Sequence, residues 1–102
     1  MNSYVVNLYP VPNDSQPGQT IDVTSPAASF TQALDYKTTC CFITTYGADC
    51  YVTFDGTTPS ASNGHRIVAP FSAYWSKEAT RTAKFIAIGG NTAHITMSQF
   101  TY

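Results

Sequence analysis

The side chains that could act as a catalytic base are few and lie far apart in the sequence. His65 lies in the loop-like stretch SNGHRI, and His94 lies in the alternating stretch AHITM. Neither is accompanied by a Gly-x-Ser-x-Gly turn or another nucleophile motif, so the sequence gives no support for a serine or cysteine triad. We interpret both histidines as polar surface rings.

Paired carboxylates are the second kind of catalytic chemistry to consider. The chain has five aspartates and one glutamate, and the two that lie closest in sequence are Asp49 and Asp55. At ~3.3 Å per residue along one strand they would lie roughly 20 Å apart, whereas glycoside hydrolysis needs about 5 to 9.5 Å. We therefore predict no catalytic residues and no enzymatic activity.

Metal and cofactor sites are not predicted either. Cys40 and Cys41 are adjacent, so on a strand they point to opposite faces and cannot clasp one ion. Cys50 alternates with Val52 and Phe54, a pattern that predicts a small buried side chain. The sequence contains no glycine-rich phosphate loop or calcium loop. Three cysteines without a secretory leader favour synthesis in a reducing cytoplasm.

The chain carries little charge and many aromatic rings. Charged residues make up 11% of the sequence and aromatic residues 14%, and the net charge is −1 at pH 7. Such a chain has no positive field to attract nucleic acid or an anionic membrane, and no stretch reaches the ~20 apolar residues of a membrane span. A surface with few charges favours self-association. We expect a dimer or trimer, and neither nucleic acid nor membrane as a partner.

The elements that must position these residues are predicted to be strands, because the apolar residues recur with a period of two. With 102 residues there is room for one core. We predict an all-β fold: a single small β-sandwich, of which the jelly roll is one form, with about eight antiparallel strands. The predicted strands are Tyr4–Leu8, Thr20–Thr24, Thr39–Tyr46, Asp49–Phe54, Arg66–Val68, Ala73–Ser76, Lys84–Ile88 and Ala93–Phe100.

Glycine-containing turns predict two hairpins. One would join residues 41–46 to 50–54 through Gly47, and the other would join the last two strands through Gly89 and Gly90. In the last strand Ala93, Ile95 and Met97 are predicted to face inward, and the alternation to break at Gln99 and Phe100. The predicted core centre consists of Cys50, Val52, Phe54, Phe85, Ile86 or Ile88, and Ile95.

The remaining segments are a helical turn and an N-terminal arm. Residues 75–83 could form one or two helical turns capped by Ser76. Residues 1–17 are predicted to form a strand or extended arm ended by prolines, with the sandwich domain over 18–102. Bulky side chains near chain ends gain little unless they touch a neighbour, so these positions are predicted to form an interface: Tyr4, Leu8, Tyr9, Phe100 and Tyr102.

The stretch GADCYVTFDGTTPSASNGHRIVAPFSAYWS, followed by AKFIAIGGNTAHITMSQFTY, resembles small structural proteins encoded among the head genes of tailed bacteriophages. The resemblance spans about the last 55 residues. Its matching positions are Val52, Phe54, Asp55, Gly56, Pro59, Gly64, His65, Trp75, Ser76, Phe85, Ile86, Ile95 and Gln99. The chain departs from the pattern at the Cys40–Cys41 pair and at Pro70, where a glycine is common.

The resemblance implies a capsid decoration or cement protein that binds the major capsid protein on the outer surface of the shell and stabilises it. Such a protein is made in the host bacterial cytoplasm and ends up on the virion. Two alternatives stay open. One is a tail, neck or connector component with the same fold, and the other is a carbohydrate-binding module that stacks sugars on Tyr74, Trp75 or Tyr51.

Overall fold

The computed structural model describes residues 11–13 and 16–101, and the predictions made for Tyr4, Leu8, Tyr9 and Tyr102 lie outside them. The described residues form eight strands and one short helix. The elements are β1 (Val11–Pro12), β2 (Gln19–Val23), β3 (Cys40–Tyr46), β4 (Cys50–Thr53), β5 (His65–Ile67), β6 (Phe71–Ser76), α1 (Lys77–Thr82), β7 (Lys84–Ala87) and β8 (Ala93–Thr101).

The eight strands form two antiparallel sheets. In the five-stranded sheet, β8 has β3 and then β6 on one side and both β1 and β2 on the other. The three-stranded sheet has the order β5, β4, β7. This confirms the all-β prediction, and β2 to β8 agree with the predicted strands to within two residues at each end. The predicted strand Tyr4–Leu8 lies outside the described residues, and β1 was not predicted as a strand.

The core lies between the sheets and is built by alternating residues. Ala93, Ile95 and Met97 of β8 are fully buried, as predicted. Cys50, Val52 and Phe85 from the three-stranded sheet are buried against them, also as predicted, and Ile43 and Val23 complete this cluster. The Trp75 ring stacks on Phe85 at 6.0 Å. Apolar side chains from both sheets therefore share one interior, which is the main source of stability in such a fold.

Three of the predicted core residues are not at its centre. Phe54 is only partly buried and packs against the core from one end. Ile86 and Ile88 are half-buried, because Phe85 and Ala87 occupy the inward positions of β7. A run of apolar residues such as FIAI does not reveal which alternate set faces inward, and the pairing of β7 with β4 decides it.

Both predicted hairpins are wrong. β3 and β4 lie in different sheets, and so do β7 and β8, so each glycine-containing turn carries the chain across the core to the facing sheet. A hairpin and a crossing to the facing sheet both need a tight reversal of the chain, so the same turn residues occur in both. Gly47 has a φ of 96°, and a Cβ at this position would come within 2.7 Å of the Thr92 carbonyl oxygen. Only glycine fits this crossing without strain.

The predicted break at the end of β8 is also wrong. The strand continues to Thr101, and Gln99 takes the next inward position with 2% of its surface exposed. Its side chain makes four hydrogen bonds. Oε1 accepts from the Asp35 backbone N–H at 2.9 Å and the Thr38 hydroxyl at 2.6 Å, and Nε2 donates to the carbonyls of Pro17 and Ala33 at 3.0 and 3.1 Å. Gln99 can follow the buried residues of β8 in an inward position because all of its side-chain polar groups are hydrogen-bonded.

The predicted helical turn is confirmed. Ser76 is the N-cap of α1 and accepts a hydrogen bond from the Ala79 N–H at 3.1 Å. This bond satisfies one of the backbone donors that a helix start leaves unpaired. In the described part of the chain, no helix has the length and apolar character needed to cross a membrane.

Asp49, which directly precedes β4, connects the start of this strand to the loop that follows β5 through hydrogen bonds. Its carboxylate accepts from the Ala69 backbone N–H and from the Arg66 guanidinium, both at 2.9 Å. The Ala69 hydrogen bond, reinforced by Arg66, lowers the pKa of Asp49. The charged form of Asp49 is therefore the one that stabilises this loop.

Asp49→Asn is expected to lower stability at neutral pH, because it removes the ion pair with Arg66. Since the pKa is depressed in the folded state, the carboxylate stabilises the fold above its unfolded pKa of about 4, and this contribution disappears as the pH falls through the lower folded value. Urea unfolding from neutral pH into acid should show the curves of the wild type and D49N converging. A difference that is independent of pH would contradict this role.

Candidate functional site

The structure pairs one of the two histidines with a carboxylate. His94 Nδ1 lies 2.6 Å from Asp22 Oδ1, and the Tyr46 ring stacks on the imidazole at 4.7 Å. A triad would also need a hydroxyl at the other ring nitrogen. The nearby Thr20 and Thr96 hydroxyls are bonded to each other at 2.8 Å, and no described hydroxyl bonds to His94. The pair therefore lacks a nucleophile among the described residues.

The other candidate catalytic groups are not brought together. His65 is exposed, with its ring 6.3 Å from that of Phe54. Asp55 accepts from the Thr57 backbone N–H and hydroxyl in its own turn, whereas Asp49 binds Arg66 at the opposite end of β4. The two aspartates that lie closest in sequence are therefore engaged in separate local contacts.

The three cysteines are free thiols and all are buried. Burial raises the pKa of Cys50 to about 11, so its reactive thiolate form is scarce at neutral pH. Burial also raises the pKa of Cys41. Over residues 11–13 and 16–101, no three His, Cys, Asp or Glu side chains are grouped so that they could hold a metal ion.

A cavity of about 280 Å³ lies between the loop at 30–34 and α1. Phe30 and Leu34 line it together with two cations, Lys77 and Arg81. Lys77 Nζ donates to the Asp35 carbonyl at 2.8 Å, and Arg81 makes a two-point contact with Glu78. Because both cations already have partners, the cavity offers no free charge to an anionic ligand.

The most distinctive surface is the side of the five-stranded sheet that is turned away from the core, which we call the outer face. Strand register places Pro12, Cys40 and Ser76 at one end of this face, and it assigns the rest of the face to eleven residues: Thr20, Asp22, Phe42, Thr44, Tyr46, Ser72, Tyr74, His94, Thr96, Ser98 and Phe100. Among these eleven, Asp22 is the only Asp, Glu, Lys or Arg. The outer face is thus a nearly uncharged surface of hydroxyls and rings.

Three of these rings form an aromatic cluster on the outer face. Phe42 and Tyr74 are cross-strand partners with ring centroids 4.9 Å apart. Phe100 lies 5.4 Å from Tyr74 and 6.4 Å from Phe42. Tyr74 remains 49% exposed. A group of rings that touch one another on the solvent side of a sheet stabilises that sheet and also offers anchors to a partner.

Comparisons with protein-family models, with curated proteins and with solved structures give no match. The geometry of the described residues and the sequence pattern therefore carry the functional interpretation.

Of the predicted interface residues, Phe100 lies in the aromatic cluster, and Tyr4, Leu8, Tyr9 and Tyr102 are outside the described residues. Sequence reasoning missed Phe42. The available signal was the alternation in CCFITTY, because an inward Ile43 places Phe42 outward.

The aromatic residues considered for sugar binding do not share a surface. Tyr74 is on the outer face, whereas Trp75 turns inward and stacks on Phe85, so these two neighbouring rings do not form one platform. Tyr51 is half-buried on the three-stranded sheet, next to Arg66 and Ile86 in the register.

Proposed function

We propose that this chain is a virion structural protein, a capsid decoration or cement protein whose outer face binds the major capsid protein on the surface of the shell. The observation that carries the proposal is the aromatic cluster of Phe42, Tyr74 and Phe100 on a nearly uncharged sheet face. The sequence resemblance to head-gene proteins of tailed phages supports the same function.

The chemistry of the outer face suits a protein partner. Interfaces between proteins are enriched in aromatic residues at their centre and depleted in charge, as this face is. The rings are held by neighbouring strands of one sheet, so little conformational entropy is lost when they are covered. A protein that binds only the assembled shell stabilises it at every site it occupies, and many weak sites act together.

The ring geometry favours a protein partner over a sugar. Stacking of sugars needs rings that present one flat surface. Here the planes of Phe42 and Tyr74 meet at 46°, and those of Tyr74 and Phe100 meet at 90°. Rings at these angles form no single flat platform, so they fit the irregular surface of a protein better than the face of a pyranose.

The proposal predicts that the aromatic cluster provides the binding energy. Phe42→Ser and Phe100→Ser should each weaken binding to purified shells by about 2 kcal/mol, or roughly 30-fold in Kd, as expected for aromatic anchors. Ile86→Ser is the matched control, because Ile86 is half-buried and faces outward from the other sheet. Sedimentation of labelled protein with shells measures the three affinities, and equal loss in all three would argue against this face.

Particle composition tests the function itself. A decoration protein should be present in hundreds of copies, and shells stripped of it should lose resistance to heat and osmotic shock. A ring in the tail, neck or connector would be present in roughly six or twelve copies. Stripped shells with unchanged resistance and no lost density would refute the decoration function.

A further inference from the structure

Among the described residues, one edge of the five-stranded sheet has no neighbouring strand. Within the described chain β6 pairs with β3 alone, so the backbone groups on its other side have no strand partner. The strand is six residues long. An exposed edge of this length is a template for pairing with another strand.

The other edges in the described part of the chain are shorter or covered. β5 has three residues. β7 is covered by the segment that follows β2, because Ala28 and Phe85 exchange backbone hydrogen bonds and the Ala87 N–H donates to the Thr24 carbonyl. Beside β2, the Gln19 side chain accepts from the backbone N–H groups of Thr31 and Gln32. β6 is therefore the edge best suited to a new strand.

β6 carries none of the usual devices that block edge pairing. Its sequence, FSAYWS, has no charge and no proline, and Pro70 and Lys77 flank it on either side. Natural edges commonly carry lysine or proline within the strand to prevent association. Here both lie just outside the six residues, where they limit the length of the pairing without preventing it.

We propose that two copies of this chain pair antiparallel along β6 about a two-fold axis, so that their five-stranded sheets join into one continuous sheet. A second copy suits this edge because the same uncharged segment meets itself. A two-fold arrangement pairs the open edges of both copies with each other, so that neither edge is left for a third copy. Outward residues must meet outward residues, and the two registers that pair most of the strand place the partner's Tyr74 or the partner's Ser72 opposite Tyr74. Either register brings the two aromatic clusters side by side.

The test uses the isolated full-length protein without particles, so its failure is distinct from failure of the proposed function. Sedimentation should show a dimer for the wild type. Tyr74→Lys and Tyr74→Glu should each raise the dimer dissociation constant by about tenfold or more, because each substitution places two like charges close together where the two β6 strands pair. An equimolar mixture of the two variants should form dimers again, since the opposite charges then face each other.

Tyr36→Lys and Tyr36→Glu are the matched controls, because Tyr36 is 82% exposed and lies outside the sheets. They should leave the dimer unchanged, and circular dichroism checks that all four variants fold. Amide exchange adds a readout specific to edge pairing, since those N–H groups of residues 71–76 that do not bond to β3 should exchange more slowly in the dimer. A monomeric wild type, or a dimer in which these amides exchange as fast as in Y74K, would overturn the inference.

Discussion

Gln99→Leu is expected to destabilise the protein by about 3 to 5 kcal/mol, the larger part of the stability of a small domain. Leucine fills a similar volume but makes no hydrogen bond. It leaves the Asp35 N–H, the Thr38 hydroxyl hydrogen and the Pro17 carbonyl without the partner that now satisfies them, and it leaves the Ala33 carbonyl with only the longer hydrogen bond from Gln32. Each buried group left unpaired costs about 1 to 3 kcal/mol, partly relieved where water can enter.

Gln32→Leu is the control for this substitution. The Gln32 amide makes one exposed hydrogen bond, to the Ala33 carbonyl at 3.3 Å, so its loss should change stability by less than about 0.5 kcal/mol. Urea unfolding followed by tryptophan fluorescence compares the two variants, because Trp75 lies against the core. If Q99L is as stable as Q32L, the four hydrogen bonds of Gln99 do not hold the loops together.

Phe85→Ala should cost about 3 to 5 kcal/mol, because the ring is fully buried between Trp75 and Phe30. The substitution removes the stacked contact with Trp75 and leaves a cavity between the sheets. The backbone pairing of Phe85 with Ala28 does not depend on the side chain, so the strand itself should persist. Loss of stability with an unchanged circular dichroism spectrum of the folded state is the expected signature.

Phe54→Ala provides the comparison within the same residue type. Phe54 touches Trp75 at 5.2 Å but is only partly buried, so its removal should cost about 1 to 2 kcal/mol. The ratio of the two losses tests whether the centre of the core is at Phe85, as the structure places it, or is shared with Phe54, as the strand pattern indicated. Equal losses would contradict the described packing.

The sequence by itself determined the fold class, the positions of seven of the described strands and the short helix. These features are local. The period of two in AHITM predicts a strand with Ile95 inward, and Ser76 before a helical turn supplies its own cap. Turn residues such as Gly47 also marked where the chain reverses, because the need for positive φ is a property of the residue itself.

Only the tertiary structure decided which sheet each strand joins and what the aromatic residues do. β2 pairs with β8, a strand that lies near the other end of the sequence, and no local pattern encodes such a pairing. The same distant contacts explain Gln99, whose polar side chain is buried because loops near Pro17 and Asp35 supply its partners. They also gather Phe42, Tyr74 and Phe100 from three strands into one cluster, since register across a sheet depends on backbone pairing between residues far apart in sequence.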